Sequence, residues 1–193
     1  MKLIFAAAAA ALAIAAPANA ASTMSAGLQP AQECATAAGA AGLTDRQMRN
    51  AMAACNTALT ADLSKQARAG TLVNRGLLSV ASHNDRAAIA DFDAAIATDG
   101  KLAPAYMSRG AAMLRAGRYD AARSDFDQAI ALHTADLHVA YFNRGEAQEA
   151  AGNITAAYHD YRKAQELAPG FQPAALELAR FQVTPRRLAD NHG

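Results

Sequence analysis

Residues 103–136, APAYMSRGAAMLRAGRYDAARSDFDQAIALHTAD, decide the reading of this chain. Small residues stand at Gly110, Ala122 and Ala129, and one aromatic, Phe126, stands among them. Gly117 divides the stretch where a first helix must end and reverse. Gly or Ala at three fixed positions lets two helices approach within a side chain's width, and larger groups there would push them apart. Phe126 then supplies the large apolar area across that close contact.

The pattern recurs on both sides without internal gaps. Upstream it is residues 69–102, AGTLVNRGLLSVASHNDRAAIADFDAAIATDGKL, and downstream residues 138–171, HVAYFNRGEAQEAAGNITAAYHDYRKAQELAPGF. Gly76 and Gly110 are 34 apart, and Gly145 follows 35 later with Leu137 as a joint residue. A period near 34 residues signals a helical solenoid, in which each hairpin needs a neighbour to bury its second face. The aromatic position carries Phe92, Phe126 and Tyr161. The reversal position carries Gly117 and Gly152, but His83 in the first segment.

The three segments resemble tetratricopeptide repeats. The motif positions 4, 7, 8, 11, 20, 24, 27 and 32 read Leu72, Arg75, Gly76, Ser79, Ala88, Phe92, Ala95 and Gly100 in the first. They read Tyr106, Arg109, Gly110, Met113, Ala122, Phe126, Ala129 and Thr134 in the second, and Tyr141, Arg144, Gly145, Gln148, Ala157, Tyr161, Ala164 and Pro169 in the third. Position 7 departs from the usual Leu by carrying Arg, and position 32 is proline only once. The resemblance covers about 103 residues and implies an all-α, right-handed superhelical solenoid of antiparallel helix pairs. Helices are expected near 70–82, 86–98, 104–116, 120–132, 138–151 and 155–167.

The flanks are expected to be helical too. Residues 30–68 read as an N-terminal cap or degenerate repeat, with helices over 30–40 and 44–60. Met48, Met52, Cys55 and Leu59 fall on one helical face, and Thr44 with Asp45 suits a helix start. Residues 172–183 read as a capping helix opened by Pro173, and residues 184–193 as a flexible tail.

Residues 1–20 read as an export signal. Lys2 precedes an uncharged apolar run from Leu3 to Ala16, Pro17 ends it, and Ala18-Asn19-Ala20 is a small-x-small cleavage pattern. The run is shorter than the roughly 18 residues a membrane span needs. Residues 21–29 then form a flexible lead-in to a protein placed in the periplasm or secreted, without an integral membrane segment. Removal of Lys2 leaves 17 basic side chains against 17 acidic ones. That balance argues against a nucleic-acid binder and against a polybasic membrane anchor. Alanine fills 55 of the 193 positions, so the core must be built from close helix contacts rather than large side chains.

An oxidising compartment permits a disulfide between the two cysteines, Cys34 and Cys55. With Gly42 as the reversal, an antiparallel hairpin brings them within reach of one another, and two buried thiols are the alternative. Twenty-one residues apart with no histidine between, they make a poor metal site. His83, His133, His138, His159 and His192 are scattered, with no metal spacing, nucleophile elbow or phosphate loop among them. No cofactor, metal or enzymatic activity is expected.

Arg75, Arg109 and Arg144 each precede an acid by 16 residues: Asp91, Asp125 and Asp160. The fixed fork of guanidinium suits a partly buried carboxylate, so each Arg is expected to pair with its own Asp or a neighbouring repeat's, setting helix register. The alternative is an arginine ladder for an acidic ligand.

The family resemblance implies a peptide groove lined by first helices. Here it would take Val73, Asn74 and Leu77 from the first repeat, and Met107, Ala111, Leu114 and Arg115 from the second. Phe142, Asn143, Glu146 and Glu149 would follow from the third. Asn74 and Asn143 resemble groove asparagines that hold a peptide backbone, with solvent-facing polar residues as the equal alternative. The expected function is therefore a non-enzymatic protein- or peptide-binding scaffold. The alternative is a small structural subunit of a cell-envelope complex, joined through its convex face or helical ends.

Overall fold

The computed structural model describes residues 28–183. The expected export signal over 1–20, all but the end of the expected lead-in, and the expected tail over 184–193 lie outside the described residues. Among those described, all regular structure is α-helical. The order is α1 (Leu28–Ala38), α2 (Asp45–Thr60), α3 (Lys65–Ala81), α4 (Asp85–Thr98), α5 (Ala103–Arg115), α6 (Tyr119–Ala131), α7 (Leu137–Ala150), α8 (Ile154–Leu167) and α9 (Gln172–Val183). Antiparallel pairs follow one another along the chain. Two compact units divide between Ala112 and Met113, inside α5.

Helix starts follow from capping side chains. Thr44 and Gln47 form a reciprocal capping box, with Thr44 N donating to Gln47 Oε1 at 2.9 Å. Ser64 Oγ accepts from Ala67 N, and Asn84 Oδ1 from Ala87 N. The Ser64 cap starts α3 five residues earlier than the 34-residue register suggests, inside the segment read as cap. Arg68, in its first turns, donates to the carbonyls of Leu59 and Ala61, which satisfies the end of α2.

Four helices end on a residue in the left-handed region: His83 (φ 56°), Gly117 (73°), His133 (53°) and Gly152 (85°). Each is followed by a residue whose N–H reaches back five positions. Asn84 bonds Ser79 O, Arg118 bonds Met113 O, Thr134 bonds Ala129 O and Asn153 bonds Gln148 O, at 2.8–3.1 Å. His83 thus does the work of glycine in the first repeat, at some steric cost.

In the first unit, over described residues 28–112, Leu72, Val73, Ala88, Phe92, Ala95, Ala105 and Ala112 form one core. A Cβ built on Gly76 would lie 2.5 Å from Phe92 Cε1, so the helix contact exists only because position 8 has no side chain. A second cluster joins α1 and α2 to α3. Cys34 and Cys55 are bonded there, Cα atoms 4.9 Å apart, fully buried with Ala51 and with Leu78 of α3.

In the second unit, residues 113–183, the same design recurs. Gly145 meets the ring of Tyr161 at 2.7 Å from its virtual Cβ. Phe142, Ala157, Tyr161, Ala164, Ala174 and Leu178 are buried together, so α9 closes over α7 and α8. The Phe142 and Phe171 rings pack edge to face, with centroids 5.3 Å apart.

Candidate functional site

The first helices carry two kinds of position. Val73, Leu114 and Phe142, read from the family pattern as groove positions, are 7%, 6% and 2% exposed and pack inward. They therefore hold helices together and offer little surface to a partner. The remaining expected positions are half-buried: Asn74, Leu77, Met107 and Ala111 in the first unit, and Arg115, Asn143, Glu146 and Glu149 in the second. Leu77 also packs on the core below it. Side chains left half open at steps of three and four along a helix form a stripe that a partner can cover.

In the second unit Glu149, the acidic end of the α7 stripe, is already engaged. Glu149 accepts from the Tyr161 hydroxyl at 2.8 Å and from Arg180 Nη2 at 2.6 Å. Arg180 also bonds Glu177, one turn back on α9. Burial, then the Glu149 bond, push the Tyr161 phenol upward, so it stays a proton donor. Glu149 likewise raises the Arg180 guanidinium. Glu146 has a different environment: burial, with the charges of Glu177 and Glu149 behind it, pushes its carboxyl up to about 7.

The position-7 arginines lie on the other side of their helices, bound to the second helices. Arg75 grips Asp91 with both prongs, Nε to Oδ2 at 3.0 Å and Nη2 to Oδ1 at 2.5 Å. Its remaining nitrogen reaches Asn56 of α2 at 2.8 Å. Arg144 repeats this with Asp160, at 2.8 and 2.6 Å, and reaches Asp127 of α6 at 2.7 Å. Bonding to Asp160 outweighs burial and raises the Arg144 guanidinium, with Asp127 adding to it. Gln148 gives Asp160 a third bond. Arg109 donates to Asp93 of α4 at 2.6 Å, and Asp125 of α6 is 4% exposed. Each arginine also reaches one helix back. The sequence reading missed those second acceptors, although Asp-Phe-Asp at 91–93 and 125–127 sets them two residues after the first.

Both units therefore repeat one packing unit: glycine under an aromatic, and arginine tied to an aspartate. Residues 138–171 match the family model described as a tetratricopeptide repeat. The paired antiparallel helices of the chain have a tetratricopeptide-like fold.

Among solved structures, the crystal structure of MamA is similar with a TM-score of 0.64 at 22% identity, over 81% of this chain and 82% of that one. At that identity the likeness is one of fold. The second such repeat domain of human RPAP3, solved with the HSP70 peptide SGPTIEEVD, is 28% identical with a TM-score of 0.58. It aligns over 62% of this chain and 98% of its own. The first such domain of Spaghetti (RPAP3), bound to the HSP90 peptide SRMEEVD, is 26% identical with a TM-score of 0.59, over 64% and 95%. No curated protein matches the chain.

A tetratricopeptide-repeat fold is a protein-interaction module and not a catalytic one. Among the described residues no group of three His, Cys, Asp or Glu side chains can hold a metal ion. None of the described helices is long and apolar enough to cross a membrane.

Proposed function

We propose that this chain is a non-enzymatic peptide-binding scaffold of the periplasm that holds its partner on the first helices of its repeats. The observation that carries the reading is the shared fold. Two repeat domains solved with peptides bound align over nearly their whole length with this chain, at 26% and 28% identity. The surface that would serve here is the half-open stripe of the first unit, Asn74, Leu77, Met107 and Ala111. Its chemistry suits an extended or helical segment with apolar anchors. Both RPAP3 peptides end in Glu-Glu-Val-Asp, and Glu146 with Glu149 would repel such a tail.

Export is supported by the charged, apolar and small-residue order of residues 1–20, and by a cysteine pair placed to form a disulfide. Mass measurement of the periplasmic protein should give a chain beginning at Ala21 with Cys34 and Cys55 bonded. The interface is tested by capturing partners from periplasmic extract with the wild type, Met107→Glu and Asn74→Ala. A partner lost by both variants, whose melting curves stay unchanged, supports the stripe. A stoichiometric complex that both variants retain overturns it, and transfers the role to the convex face or helical ends of an envelope assembly.

A further inference from the structure

The α1–α2 hairpin copies the packing of the α3–α4 hairpin that follows it, with one contact exchanged. On α2 the buried residues Ala51, Cys55 and Ala58 are spaced four and three apart, as Ala88, Phe92 and Ala95 are on α4. Cys55 therefore stands where α4 carries its aromatic ring. Between α3 and α4 the Phe92 ring lies over Gly76. Between α1 and α2 the facing residue is Cys34, and the contact is the covalent bond itself.

The helix stacked on each hairpin shows the same correspondence. Ala105 and Ala112 of α5 are buried in one core with Phe92. The residues 34 positions before them are Thr71 and Leu78 of α3, and these flank the cystine. The Thr71 carbonyl oxygen lies 3.9 Å from Cys34 Sγ, and Leu78, 1% exposed, shares a cluster with Cys34 and Cys55. A cystine fills less space than a phenyl ring, and Leu78 in place of an alanine takes up the difference. The hairpin is thus a further repeat on the same plan, locked by a disulfide where the others are locked by a ring on glycine.

A ring on glycine holds by burial alone, in any surroundings. We propose that the first repeat is instead conditional on oxidation: α1 packs on α2 and α3 once Cys34 and Cys55 are joined, and stays detached while both are thiols. The oxidant is a second disulfide. One cysteine thiolate attacks it to give a mixed disulfide, and the other cysteine displaces the oxidant from that bond. One disulfide forms and one is spent, and the two cysteine protons end on the oxidant's two sulfurs. Two separate thiols supply neither a tether nor the apolar area of a ring, and the other apolar residues of α1 from Ala31 to Ala38 are alanines. With α1 detached, Thr71 and Leu78 lose their cover on that side of α3. With α1 seated, both cysteines are fully buried, which shields the bond from thiols.

The test is hydrogen exchange on the full chain, reading the amides of α1 against those of α4. It compares the oxidised protein with the same protein unfolded, reduced and refolded in a dithiol. In the reduced protein the α1 amides are expected to exchange at least about tenfold faster, while α4 keeps its protection. The triple variant Cys34→Gly, Cys55→Phe, Leu78→Ala rebuilds the ring-on-glycine lock with an alanine beside it. It is expected to protect α1 equally with and without the dithiol. Equal protection of α1 in oxidised and reduced wild type overturns the proposal. So does a triple variant that protects α4 but leaves α1 open. If the triple variant does not fold, the reduced wild type decides alone.

Discussion

Gly70 and Gly76 share one helix, α3, and the same substitution should act on them in opposite directions. Replacing a glycine inside a helix by alanine is worth up to about 1 kcal/mol, because the unfolded chain loses freedom. At Gly70 a new Cβ would meet nothing within 4 Å, so Gly70→Ala should raise stability by about 0.5–1 kcal/mol. At Gly76 the same atom would lie 2.5 Å from the Phe92 ring, itself fully buried and unable to swing aside. Overpacking costs about 1–3 kcal/mol, which exceeds the propensity gain, so Gly76→Ala should lower stability. Urea titration of the two variants checks both signs. A second prediction concerns Asp160, 4% exposed, with bonds from Arg144 and Gln148. Asp160→Ala leaves a half-buried guanidinium with Asp127 and the Tyr141 ring but without its two-pronged partner, and should cost about 2–4 kcal/mol. Arg162→Ala, on the exposed side of α8, should leave the melting curve within about 0.5 kcal/mol of wild type.

At the scale of the element, α1 is the helix whose place depends most on covalent chemistry. Its sequence from Ala31 to Ala38 offers the core only alanines and Cys34, whereas Cys55 and Leu78 supply the larger neighbours. A few buried methyl groups, at roughly 25 cal/mol per Å², do not hold eleven residues in place. The Cys34–Cys55 bond closes a loop of about 20 residues and contributes on the order of 3 kcal/mol. The Cys34→Ser, Cys55→Ser double variant should lose about that much, with early loss of helical signal from α1. Equal stability of oxidised and double-variant protein would contradict this role. The pairing was legible in the sequence because Gly42 and the apolar Met48–Leu59 face fix a hairpin. Most helix bounds were legible too, from the 34-residue period and the glycine positions. The start of α3 was not, since it is set by Ser64 and by Arg68 reaching Leu59 O and Ala61 O. A period counts residues between equivalent contacts and is blind to a local cap. The second acceptors of the arginines were written in the Asp-Phe-Asp pattern, but Asn56 stands outside the repeats and breaks it. The Glu149–Arg180 clasp joins residues 31 apart through a helix outside the repeat register, where no motif position points.

Across the whole molecule, the two units close their apolar surfaces by different devices. The first fastens an alanine-rich helix with a covalent bond, and the second lays down α9, whose hold is mainly apolar. Leu178 is the centre of that hold, 8% exposed in the cluster with Phe142, Tyr161 and Ala174. The opposite face of α9 is open to solvent, with Leu176 57% exposed. Truncating a buried leucine costs about 2–5 kcal/mol, from lost transfer energy and the cavity left behind. A chain of this size has about 5–15 kcal/mol in hand, so the loss is a large share. Leu178→Ala should therefore lower the melting temperature clearly, whereas Leu176→Ala should leave it almost unchanged. The same variant should also bind more of an apolar dye. Losing the Leu178 side chain weakens the cover on Tyr158, Tyr161 and Phe181, and a wet aromatic surface is what such a dye detects. If Leu178→Ala and Leu176→Ala melt together, α9 is held by its charged clasp instead, and Arg180→Ala becomes the variant that frees it.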